Sequence, residues 1–108
     1  MAPEFELPPV DPAFGAHVVF VSVPRKEAVY LTVLLESYEG IASFRTQDPE
    51  HAPGRTLVAI LIPTDFAHDA IAVLEEVATT AGLTQHLPTP ADWIELRVAL
   101  EVEDEPAG

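Results

Sequence analysis

Cysteine is absent from the 108 residues, which removes disulfide frameworks, thiolate nucleophiles and cysteine-based zinc sites together. Basic residues are scarce: five Lys and Arg stand against eighteen Asp and Glu, for a formal net charge of -13. Such a surface repels a phosphate backbone, so nucleic acid is not expected as a partner. No apolar run approaches the roughly 18 residues of a membrane helix. The opening MAPEFELPPVDPAFG has neither a basic residue nor a hydrophobic signal core, so a cytoplasmic protein without membrane contact is expected. No GxSxG and no glycine-rich phosphate loop occur, and Ser22, Ser37 and Ser43 lack flanking motifs that would activate a nucleophile. Neither catalysis nor a cofactor is expected.

What is present is a hydrophobic fraction of 48%, typical of a globular chain, in a length suited to one domain. The stretch Val18 to Thr46 organises it. His17 to Val23 is apolar on both faces, as in a strand covered on both sides. Pro24 then supplies the fixed φ that a first helical turn tolerates. Ala28, Leu31, Leu34, Leu35 and Tyr38 recur at helical spacing, and Gly40 is a helix stop. A second strand, Ile41 to Thr46, alternates and carries Arg45, which suits a sheet edge.

The pattern then repeats. Asp48 to Gly54 reads as a hairpin connection, and Arg55 to Ile62 as another strand apolar on both faces. Thr64 or Asp65 caps a second helix, with Phe66, Ala70, Val73, Leu74, Val77 and Ala81 as its stripe and Gly82 as its stop. Leu83 to Ala91 is a connection. From Asp92 to Glu103, the residues Ile94, Leu96, Val98, Leu100 and Val102 alternate with polar ones, which favours a fourth strand. Thr89-Pro90-Ala91-Asp92 is also an acceptable capping box for a helix carrying Trp93, Leu96 and Leu100, so both assignments stand.

Two strand-helix-strand halves joined by a hairpin predict an α+β, ferredoxin-like βαββαβ sandwich. Its antiparallel sheet has the order 4-1-3-2, with two helices on one face. Residues 1–15, holding Pro3, Pro8, Pro9 and Pro12, form a proline-rich segment; 16–103 make the domain; 104–108 are an acidic tail. The second sheet face then needs cover. It is expected to come from self-association through the open face as a homodimer, or from Phe5, Leu7, Val10 and Phe14 of the first segment.

The run PRKEAVYLTVLLESYEGIASFRTQD resembles the body of a small uncharacterised bacterial domain family. A proline-basic start leads through a Leu-rich helix into an ESYEG-type helix end and a strand with Arg-Thr, and the resemblance spans roughly residues 18 to 65. It implies no assigned activity. More loosely, the topology is similar to amino-acid-sensing ACT domains, which bind ligands near the first strand-to-helix turn. Here that turn is Val-Pro-Arg-Lys-Glu and lacks the usual glycine.

The expected topology brings Arg25, Lys26, Arg45 and Arg55, four of the five basic residues, to one edge of the sheet, with His51, His86 and Trp93 nearby. Beside a helix N-terminus these are the ingredients of a small-anion site. Asp65, His68 and Asp69 share a helical turn but read more simply as a helix start, and His17 reads as a sheet-end residue. The function expected is a non-catalytic binding or regulatory module. The alternatives are an ACT-like sensor of a small anionic ligand at the basic edge and an uncharacterised enzyme.

Overall fold

The computed structural model describes residues 5–36 and 43–104. The elements run β1 (His17–Pro24), α1 (Arg25–Glu36), β2 (Ser43–Ala52), β3 (Arg55–Ile62), a 3-10 turn (Thr64–Phe66), α2 (Ala67–Ala81), β4 (Thr84–His86) and α3 (Pro90–Asp104). The four strands form one open sheet, ordered β2-β3-β1-β4, or 4-1-3-2 from the other edge. Every pairing is antiparallel.

β1 and β3 lie at the centre because their residues are apolar on both faces. Val19, Val21 and Val23 of β1, with Val58, Ile60 and Ile62 of β3, pack against Leu31 of α1 and against Ala70, Val73, Leu74, Val77 and Ala81 of α2. Ala28 and Leu34 of the expected α1 stripe join this core; Tyr38, Gly40 and Ile41 lie outside the described residues. Phe66 leaves its expected stripe: it sits in the 3-10 turn and is 38% exposed.

The opposite face carries Val18, Phe20, Leu57 and Ala59, buried under Leu96 of α3 with Phe14, Leu61 and Trp93 around them. This corrects three expectations. Asp92 to Glu103 is helical and belongs to α3. The fourth strand is the short Thr84–His86, within the supposed connection. The sheet has helices on both faces, so the second face, for which a second subunit or the first segment was expected, is covered by α3, with Phe14 of the first segment beside it.

The period-two pattern misled because alternation does not by itself bury a face. Leu96 is fully buried, while Ile94 and Val98, two residues to either side, are 64% and 52% exposed. A strand at this site would place all three on one face. In a helix, Ile94 and Val98 share a side and Leu96 points elsewhere. The local capping chemistry at Thr89 and Asp92 therefore prevailed.

The proline-rich segment divides its apolar residues between the two faces. Phe5 enters the α1–α2 core, Phe14 packs under α3, and Leu7 and Val10 stay exposed. The Gln85 side chain holds this segment at the β4 edge, accepting from the Glu6 N–H at 2.9 Å and donating to the Glu6 carbonyl at 2.8 Å. The sequence-expected sheet-end residue His17 adds a 2.6 Å contact from Nδ1 to the Pro8 carbonyl. An edge strand of three residues is thus shielded by side-chain hydrogen bonds in place of another strand.

Leu96→Ala, which empties a buried site between α3 and the sheet, is expected to cost about 2–5 kcal/mol. Val98→Ala, two residues on but exposed, is expected to stay within about 0.5 kcal/mol of wild type. Urea denaturation of both variants checks this, and equal effects would contradict the docking of α3 through Leu96.

Candidate functional site

At one end of the sheet the β1–α1 turn meets the β2–β3 hairpin. The Arg25 N–H donates to the Gly54 carbonyl at 2.8 Å, where Pro53-Gly54, with Gly54 at φ 71, has the residue pattern of a type II turn. The Arg25 guanidinium lies 3.7 Å from Glu50, both side chains being largely exposed, a pairing worth little. Lys26 is exposed in the first turn of α1.

Arg55 is used structurally. Its Nε donates to Ser22 Oγ at 2.7 Å, and one Nη donates to the carbonyls of Ser22 and Gly82 at 2.8 and 2.9 Å, with Thr84 Oγ1 at 3.5 Å. One planar fork thus ties β3 to β1, to the end of α2 and to β4, which a lysine could not reproduce. Gly82 ends α2 in the left-handed conformation, at φ 74, which glycine adopts without strain.

Arg45 does not join this group. It stands opposite Ala59, four residues along β3 from Arg55 and so about 13 Å away. β2 runs on to Ala52 where the sequence suggested an end at Thr46, which leaves Arg45 near the strand's start. Its Nη1 donates to the Phe44 carbonyl at 2.9 Å. Of the four cations, Arg25, Lys26 and Arg55 share one end of the sheet, and the guanidinium of Arg55 is already bonded.

The second half of β2 brings together residues that the basic-edge expectation only placed nearby. Its register shifts on both sides of Asp48, and Thr56 Oγ1 donates to the Pro49 carbonyl at 3.1 Å. The resulting arch sets the His51 ring edge-on to His86, with centroids 4.8 Å apart. His86 Nε2 is 3.0 Å from Asp92 Oδ2. The same carboxylate accepts the Thr89 N–H at 2.8 Å, and the Asp92 N–H donates to Thr89 Oγ1 at 3.3 Å, completing the reciprocal capping box of α3. Gln47 Nε2 donates to the Asp92 carbonyl at 2.6 Å.

Burial works against ionisation of Asp92 and is the largest single influence on it. The Thr89 N–H, the His86 ring and the Thr89 hydroxyl, with the charge of His86, together outweigh burial and hold the carboxyl below its ordinary value. The chemistry of this cluster is adhesive: it fastens β2, β4 and the start of α3 to one another. Among the described residues no group of three His, Asp or Glu side chains converges as a metal site.

Beside it, a groove of about 590 Å³ runs along α3, lined by Asp11, Phe14, Trp93, Ile94, Arg97 and Val98. Its floor is aromatic. Phe14 and Trp93 stack with centroids 6.1 Å apart, and Phe20 meets Trp93 edge-on at 5.1 Å. Sequence reasoning named Phe14 as cover for this face and set Trp93 near the basic edge; the structure places Trp93 in the first turn of α3, over Phe20. The groove was legible through the capping box, since a helix from Thr89 aligns Trp93 with Arg97 and Ile94 with Val98 at i, i+4 spacing.

Because the folded state holds the Asp92 pKa below its ordinary value near 3.9, the stability it contributes is full above about pH 4 and is lost as pH falls through the folded value. Asp92→Asn is therefore expected to be less stable than wild type at pH 7 and to lose stability less steeply below about pH 4. Urea melts at pH 7 and across the acid range check both halves of this statement.

Neither a curated protein nor a solved structure matches the chain. Residues 21–80 match a family described as "Domain of unknown function (DUF4911)". The match takes in β1 from Val21, α1, the β2–β3 hairpin and nearly all of α2, and it includes Arg25, Lys26, Arg45, Arg55 and His51. The groove residues along α3 and the first segment fall outside it. With more than half of its length matched, the chain belongs to the DUF4911 family of small domains of unknown function.

Proposed function

We propose that this domain is a non-catalytic binding or regulatory module of ferredoxin-like topology that works in the cytoplasm and takes its ligand in the groove along α3. The topology is supported by the path of the chain. Each half runs from a central strand through a helix to an edge strand, β1-α1-β2 and β3-α2-β4. The observation that carries the binding reading is the groove itself. Its volume is within the range of small-molecule sites, and its aromatic floor, apolar wall and few polar groups match their usual chemistry. Ile94 and Val98 expose apolar surface there on a protein whose formal net charge is -13.

A second reading, an ACT-like sensor of a small anion, draws on Arg25 and Lys26, which face solvent at the β1–α1 turn. The two readings differ in where an anion acts. A thermal-shift screen with carboxylates, amino acids and phosphates is expected to yield a stabilising compound, since ligand at about 100 times its Kd adds about 2.7 kcal/mol to the native state. Arg97→Glu is expected to abolish that shift, and the double change of Arg25 and Lys26 to Glu to leave it. The reverse outcome would move the site to the basic edge, and no shift with any compound would overturn both readings.

A further inference from the structure

The groove along α3 carries more information than its apolar surface. Two opposite charges line it, Asp11 from the first segment and Arg97 from α3. Among the described residues neither is ion-paired, with the other or with a third residue. Opposite charges at one concave site, left apart from each other, complement a molecule bearing both signs. The rest of the lining is uncharged: the Phe14 and Trp93 rings and the side chains of Ile94 and Val98.

Both charged residues stand on fixed backbone. Asp11 opens a tight turn: its carbonyl accepts the N–H groups of Phe14 and Gly15 at 3.1 and 2.7 Å, and its own N–H donates to the Ala16 carbonyl at 2.9 Å. Its Oδ1 accepts the Ala13 N–H at 2.8 Å, leaving the other carboxylate oxygen for a ligand. Arg97 lies one helical turn beyond Trp93 on α3, which is anchored by Leu96 and by the capping box at its start. A site whose backbone is already ordered loses less entropy on binding.

Resting on the reading of this groove as the binding site, we infer that its ligand is a small zwitterion with an apolar or aromatic body, the chemistry of a free apolar amino acid. Its carboxylate meets the Arg97 guanidinium, its ammonium meets the Asp11 carboxylate, and its body lies on Phe14 and Trp93 between Ile94 and Val98. A molecule with only one of the two charges leaves a groove charge unanswered.

Trp93 is the single tryptophan of the chain, so its emission reports on the groove floor. Titration of the full chain with L-phenylalanine is expected to give a saturating change in that emission. 3-Phenylpropionate, which lacks the ammonium, and 2-phenylethylamine, which lacks the carboxylate, are each expected to bind about tenfold more weakly, the loss of one charge-assisted contact. Asp11→Asn keeps the Oδ1 acceptor of the turn while removing the charge. It is expected to weaken L-phenylalanine and leave 3-phenylpropionate unchanged; Arg97→Gln is expected to weaken L-phenylalanine and leave 2-phenylethylamine unchanged. Equal affinity for all three compounds, unaltered by either variant, would overturn the zwitterion and leave groove binding standing. No emission change with any of them would overturn the groove reading as well. An emission that shifts on diluting the protein alone would identify a second copy of the chain as the occupant and also overturn the proposal.

Discussion

Two neighbouring strands without a polar face constrain everything else in this domain. β1 and β3 bury side chains on both sides of the sheet, so the sheet cannot end as a two-layer structure with one side in water. α1 and α2 cover one side, and α3 covers the other through Leu96 and Trp93. The third helix follows from the same requirement as the first two: apolar strand surface must be removed from water, and its burial drives the docking of whatever amphipathic segment is within reach.

Covering both faces determines what the polar residues do. Arg55 faces the α3 side beside Ser22, where its fork reaches carbonyls of two elements and a hydroxyl of a third, and so organises the basic end of the sheet. His51, His86 and Asp92 meet because the β2 arch crosses to the start of α3. In a protein with this surplus of acid, cations and imidazoles near the sheet are drawn into satisfying carbonyls and a carboxylate, since buried polar groups are costly without partners.

The family relationship and the groove divide the chain between them. The segment 21–80 that matches the family carries β3, the second half of β1, α1, nearly all of α2 and the β2–β3 hairpin. The groove is built by elements flanking that segment, the turn at Asp11 to Ala16 and α3. The matched part is thus the framework, and the proposed binding groove lies outside it.

Much of the architecture was legible in the residues. Apolar runs at His17 to Val23 and Arg55 to Ile62 marked the central strands, Gly82 marked the end of α2, and the stripes of α1 and α2 marked the faces they bury, because periodicity and backbone restriction act locally. Other features required the folded chain. Whether Asp92 to Glu103 forms a strand or a helix depended on which face was left uncovered and on a capping box that competed with an alternating pattern. The position of Arg45 depended on the length of β2, which its pairing with β3 sets. The bonding of Arg55, the meeting of two histidines 35 positions apart in sequence and the groove between Asp11 and Arg97 are contacts between distant segments. Local sequence determines what each segment can bury, and only tertiary packing decides which segments meet and which charges they leave facing a groove.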